Sequence, residues 1–174
     1  DVTDSSSYYE AVCYVTEKGL MNGTSASTFS PDAAMTRAMM VTILWRMEKE
    51  PAALKSNFTD LTADWYRTAV DWAAETGVVN GVGNGKFAPN ATLSLEQLIT
   101  ILYRYAENKG YNVSKSASLD SFTDGSACSA YAKPAMQWAV GMNFLSGNTL
   151  TPGAPASRAQ IAQVLMLFCK AYIK

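Results

Sequence analysis

Histidine is absent from the 174-residue chain. That gap removes Ser/His and Cys/His catalytic pairs, histidine metal ligation and the commonest general base of enzymes. Cysteine is scarce: Cys13, Cys128 and Cys169 form no CxxC pair and sit among apolar neighbours, the setting of buried free thiols. An excess of either charge is missing as well. With 14 basic and 15 acidic residues the net charge is −1, and there is no basic stripe of the kind nucleic acid demands.

Long hydrophobic runs are lacking too. The nearly apolar stretch IAQVLMLFC (161 to 169) is far too short to cross a bilayer. No signal peptide is visible, and the chain opens at Asp1 inside a repeated motif, so we read it as a segment of a longer protein. Two apparent chemical motifs dissolve on inspection. GVGNG (81 to 85) has no strand before it, and the GKF that follows lacks the hydroxyl residue of a phosphate loop, which leaves turn chemistry. Asp120 and Asp124 lie near each other, but SFTDG has neither EF-hand spacing nor its distal Glu. The expectation is a protein without catalytic activity, metal or cofactor.

What the chain does have is a globular composition, 48% hydrophobic, and internal repetition. AVCYVTEKGLMNG (11 to 23), AVDWAAETGVVNG (69 to 81) and AMQWAVGMNFLSG (135 to 147) are copies of one segment. Each runs through a turn to a Pro and a second helical pattern: FSPDAAMTRAMMVTIL, FAPNATLSLEQLITIL and LTPGAPASRAQIAQVL. From the Pro onward the copies align without a gap, while the third is three residues shorter between Gly147 and Pro152. FTD (58 to 60, 122 to 124) opens copies two and three. The copies span 1–50, 58–108 and 122–174, with polar linkers at 51–57 and 109–121.

Each copy reads as helix, Gly/Asn-rich loop, Pro turn, helix. In the second helices the apolar positions are Met40, Ile43, Leu44, Met47, then Leu98, Ile101, Leu102, Tyr105, then Ile161, Val164, Leu165, Phe168. The i, i+3, i+4, i+7 spacing puts each set on one face, so the three second helices are expected at the centre and the first helices outside. The fold class expected is mainly α, three helix-loop-helix units in a pseudo-threefold arrangement around a central three-helix bundle.

The starts of the second helices carry the functional signal. Ser94 with Gln97 and Ser157 with Gln160 fit a capping box, and Thr36 keeps the cap although Met39 breaks its reciprocal half. Arg37 and Arg158 follow the cap, where a cation opposes the helix dipole by roughly 0.3 to 1 kcal/mol. Copy two instead has Leu95 and Glu96. Two locally unfavourable arginines in register point to an anion site in which free helix N–H groups and a guanidinium fork converge on a carboxylate or phosphate.

The FxD start, the Trp-containing first helix (Trp65 and Trp72 in copy two), the G…G.F.P loop and the T-R-A-E-like helix start together resemble the S-layer homology domain, three tandem copies covering essentially the whole chain. The resemblance implies a non-catalytic module that anchors exported proteins to the bacterial cell wall, at the extracellular, S-layer surface. Its usual ligand is an anionic secondary cell wall polysaccharide bearing pyruvylated N-acetylmannosamine, or in other lineages modified peptidoglycan, held in grooves between neighbouring repeats. Carried over, the motif is Thr36, Arg37, Ala38, Met39, then Ser94, Leu95, Glu96, Gln97, then Ser157, Arg158, Ala159, Gln160. On this reading Arg37 acts with Asp60, Trp65 and the loop backbone around Gly81 and Gly83, Arg158 acts with Asp1 and Tyr8, and Gln160 is a further ligand-binding residue. Trp72, Trp138 and Tyr14 are expected in the core. The competing reading is a structural, protein-interacting module whose grooves no longer bind sugar.

Overall fold

The computed structural model describes residues 1 to 173. Six α-helices follow in order: α1 (Tyr9–Glu17), α2 (Arg37–Met47), α3 (Asp64–Glu75), α4 (Leu95–Asn108), α5 (Lys133–Gly141) and α6 (Arg158–Tyr172), with a short 3-10 turn at Gly125–Ala127. The fold is mainly α, as the apolar spacing requires. Of the twelve apolar positions read from the second helices, all but Met47 are buried, and Met40, Leu44, Leu98, Leu102, Ile161 and Leu165 are closed to solvent. Trp138 is buried among Tyr103, Phe144 and Phe168, and Trp72 is buried as well.

The helices pack mostly across the repeats. α3 lies on α2, α5 on α4 and α1 on α6, so each first helix covers the second helix of the preceding copy, and copy one closes back onto copy three. Backbone hydrogen bonds repeat this circular order. Leu93 N–H donates to Met35 O (2.9 Å), Ala156 N–H to Leu93 O (2.8 Å) and Met35 N–H to Ala156 O (3.4 Å), a closed ring through the leads into α4, α6 and α2.

The caps expected from sequence are formed. Thr36, Ser94 and Ser157 accept from the N–H groups of Met39, Gln97 and Gln160, and both Gln side chains bond back to complete their capping boxes. A different bond sets the Pro turns. Ser30, Ala88 and Thr151, each just before the Pro, hold φ of 56°, 58° and 50°. This left-handed region costs an L-residue roughly 1 to 2 kcal/mol. In each copy an aspartate bridges the N–H of that residue and of the one before it. Asp1 accepts from Phe29 and Ser30 (2.8 and 2.7 Å), Asp60 from Phe87 and Ala88 (2.9 and 2.8 Å), Asp124 from Leu150 and Thr151 (2.8 and 2.7 Å).

The GVGNG stretch is the tight turn its composition suggests. Lys86 N–H donates to Gly83 O (3.0 Å) across Asn84 and Gly85 at φ 52° and 67°, the signs a type I′ hairpin turn needs at both central positions.

Candidate functional site

The helix starts do not offer the free N–H groups that the sequence reading placed there. Arg37 N–H donates to Ala91 O and Ala38 N–H to Pro89 O (both 3.0 Å), and the cap takes Met39. Leu95 and Glu96 use Ala154 O and Pro152 O, and Arg158 and Ala159 use Ala33 O and Pro31 O. Each helix N-terminus is thus closed by the Pro turn of the next repeat around the ring. The dipole holds repeats together, and an anion cannot use those donors.

The arginine side chains serve the same closure. Arg37 is 8% exposed; its Nε donates to Phe87 O (3.0 Å), its Nη2 to Asn80 O (3.2 Å), and its guanidinium lies 4.8 Å from the Phe87 ring centre. Arg158 repeats this on copy one: Nε to Phe29 O (2.7 Å), Nη2 to Asn22 O (2.5 Å), and the Phe29 ring at 4.5 Å. Charged donors to carbonyls and a desolvated cation over a ring are each worth roughly 1 to 3 kcal/mol. That outweighs the dipole penalty which made the arginine look misplaced. Burial pushes both arginine pKa values down. At Arg37 the charge of Arg104 adds to that effect, while Tyr131 and Asp60 oppose it.

Beside each clasp lies a groove, and each arginine groove is assembled from all three repeats. The first is lined by Arg37 of copy one, by Asn80, Gly81, Val82, Gln97 and Arg104 of copy two, and by Tyr131 of copy three. The second takes Arg158 from copy three, Met21, Asn22, Met39 and Arg46 from copy one, and Trp65 from copy two. Their volumes are ≈ 260 and ≈ 170 Å³. The correspondence is residue by residue: Arg37 with Arg158, Asn80 with Asn22, Gln97 with Met39, Arg104 with Arg46, Tyr131 with Trp65. Of the seven large hydrophobic side chains left exposed among the described residues, Val82, Tyr131, Met39 and Trp65 line these two grooves.

The third groove, ≈ 260 Å³, has Leu95 in place of the clasp arginine and Leu167 in place of the helix-face arginine, over Phe144, Leu145, Gln160 and Gln163. Copy one supplies no aromatic to it; the position matching Trp65 and Tyr131 is Ser7. The joint between copies two and three is tied instead by Glu96, which accepts from Ser129 N (2.9 Å), Ser129 Oγ (2.7 Å) and Tyr131 Oη (3.3 Å) of copy three, the last of these on the rim of the Arg37 groove.

Several expected groupings are corrected by this geometry. Trp65 stands with Arg158, not with Arg37, because α3 packs on α2 and carries its N-terminus to the Arg158 side. Asp60 and Asp1 commit each carboxylate oxygen to a loop N–H. Tyr8, the residue preceding α1, is half-buried against the core and lines none of the three grooves. Gln160 closes its own capping box and faces the Leu95 groove. Gly81 lines the Arg37 groove, whereas Gly83 belongs to the hairpin turn beside it.

The residues overlooked were Arg46, Arg104 and Tyr131. A signal existed for each. The two arginines stand nine residues after the clasp position in α2 and α4, and Tyr131 falls opposite Trp65 once AVDWAAETG and AMQWAVGMN are aligned.

The structure defines a class: a cyclic, mainly helical repeat module with inter-repeat grooves, two of them rimmed by cations and aromatics. The sequence model of the S-layer homology domain matches residues 1–39, 57–99 and 121–162, and the chain belongs to that family. Among similar proteins, an endoglucanase of Bacillus sp. (strain KSM-635) is 31% identical over 95% of this chain and 18% of its own length. The surface-layer 125 kDa protein of Lysinibacillus sphaericus is 30% identical over 89% of the chain and 13% of its own length. A cellulosome-anchoring protein of Acetivibrio thermocellus is 26% identical over 64% of the chain and 26% of its own length. The chain therefore spans about a quarter or less of these relatives. Membership of the family, with S-layer relatives, assigns it to the cell surface as a wall-anchoring module. No helix among the described residues is long and apolar enough to cross a membrane.

Proposed function

We propose that this chain anchors a larger surface protein to the bacterial cell wall by binding an acidic secondary wall polysaccharide, of the pyruvylated N-acetylmannosamine type, in the Arg37 and Arg158 grooves. The observation that carries the reading is the pairing, twice in one molecule, of a cationic cavity with an exposed aromatic rim: Arg37 and Arg104 with Tyr131, Arg158 and Arg46 with Trp65. A sugar presents an apolar ring face for the aromatic and hydroxyls for loop carbonyls and amides, and an acidic substituent answers the guanidinium. The module itself performs no chemistry; catalysis in a relative such as the endoglucanase is then the work of other parts of that longer chain. The test is sedimentation with purified walls. Binding should be strong to intact walls and lost once the acidic polysaccharide is extracted. Undiminished binding to bare peptidoglycan would transfer the ligand to peptidoglycan, and solution assembly with no wall component would support the protein-interaction reading.

A further inference from the structure

Arg37 and Arg158 spend two of their three guanidinium nitrogens on backbone carbonyls of the next repeat. Among the described residues Arg104, in the same cavity as Arg37, makes no hydrogen bond or ion pair, and no carboxylate lies within ion-pairing distance of Arg37. Two like charges thus share one concavity, neither of them in an ion pair among the described residues, an arrangement that an entering anion would relieve. Arg46 is placed identically beside Arg158; its ion pair is a long, exposed one to Glu50 at 3.8 Å, of a kind worth little.

The two arginine positions also change together. Each groove takes its clasp residue from one repeat and its helix-face residue from the next. Where the clasp is Arg the helix-face residue is Arg, and where the clasp is Leu95 the helix-face residue is Leu167. The clasp alone cannot explain this, because its carbonyl and aromatic partners do not involve the helix-face position.

We infer that Arg104 and Arg46 are the specificity-determining residues of the two grooves, reading the acidic group of the glycan, while Arg37 and Arg158 chiefly hold adjoining repeats together. This rests on the function proposed above and divides its labour. Arg104 reaches from α4 with its whole donor set free, which suits bidentate capture of a carboxylate or a phosphate. The free Nη1 of Arg37 supports the charge from the floor of the cavity.

The test compares Arg46→Gln/Arg104→Gln with the parent chain on three forms of the wall polysaccharide: untreated, carboxyl-reduced and phosphate-stripped. The double variant should unfold at the parent's temperature. It should lose about tenfold or more in affinity for untreated polymer, the scale of a charge-assisted hydrogen bond, and should bind the treated polymer that the parent has ceased to prefer just as it binds the untreated one. Whichever treatment abolishes the parent's preference names the acidic group. If the parent prefers the untreated polymer and the double variant keeps that preference, the inference is overturned and the proposed function stands. If the parent itself shows no preference for acidic polymer, the proposed function fails first.

Discussion

The Arg37 and Leu95 grooves occupy equivalent places in a near-symmetric ring, have the same ≈ 260 Å³ volume, and differ in chemistry at every position that could read charge. In the first, a buried arginine clasps the loop of copy two and a second arginine stands free. In the third, Leu95 and Leu167 fill those places and Glu96 makes the inter-repeat contact through Ser129. The backbone joints are the same in both: Pro-turn carbonyls close the helix N-termini whichever side chain follows the cap. The difference teaches that a repeat joint can close on its backbone contacts without a clasp arginine, and that the helix-face arginine, which takes no part in the clasp, answers to something other than closure.

Arg37→Leu breaks the comparison from the cationic side. It leaves Phe87 O and Asn80 O without charged donors and should destabilise the chain by about 3 kcal/mol, read from urea unfolding, while the acidic-glycan site, which keeps Arg104, should be weakened less than by Arg104→Gln. The converse change sharpens it. Leu95→Arg with Leu167→Arg places two guanidinium groups in the third groove, which is lined by Ser146 and Leu150, the counterparts of Asn80 and Phe87. The glycan stoichiometry should rise by one, and the dependence of affinity on salt should steepen.

Acid should affect copies two and three alike. At Asp124 the N–H groups of Leu150 and Thr151 hold the carboxyl below its ordinary 3.8; at Asp60 desolvation works the other way but is outweighed by the N–H groups of Phe87 and Ala88. A depressed folded pKa gives stability that is complete above the ordinary carboxylate value and is lost as pH falls through the folded one. Thermal unfolding should therefore change little above about pH 5 and drop below about pH 4, and Asp60→Asn/Asp124→Asn should flatten that drop. The smallest effect belongs to the strained turns. Ala88→Gly relieves φ 58° and should raise stability by about 0.5 to 1 kcal/mol in urea, with Thr151→Gly at φ 50° behaving likewise.

The helical faces and caps were legible in the sequence because both are local: i, i+3, i+4, i+7 spacing and Ser-x-x-Gln are fixed within one turn or two. The grooves were not, because each arginine groove draws on three repeats whose relative placement depends on first helices packing onto the preceding copy. That packing carries Trp65 to Arg158 although the chain places it nearer Arg37. The helix N-termini misled for the same reason. Arg37 looked exposed to its own dipole until Pro89 and Ala91 of copy two supplied the missing acceptors. The aspartates, plausible sugar ligands as isolated FTD motifs, are bound to loop N–H groups 27 residues or so further on, a pairing that local reading does not reveal.

The most direct measurement is the stoichiometry of a short acidic oligosaccharide cut from the wall polymer, titrated calorimetrically into the intact chain. Unequal grooves predict two molecules per chain, each bound about tenfold or more weakly in the Arg46→Gln/Arg104→Gln variant. Three molecules per chain, or two bound as tightly in that variant as in the parent, would contradict the account.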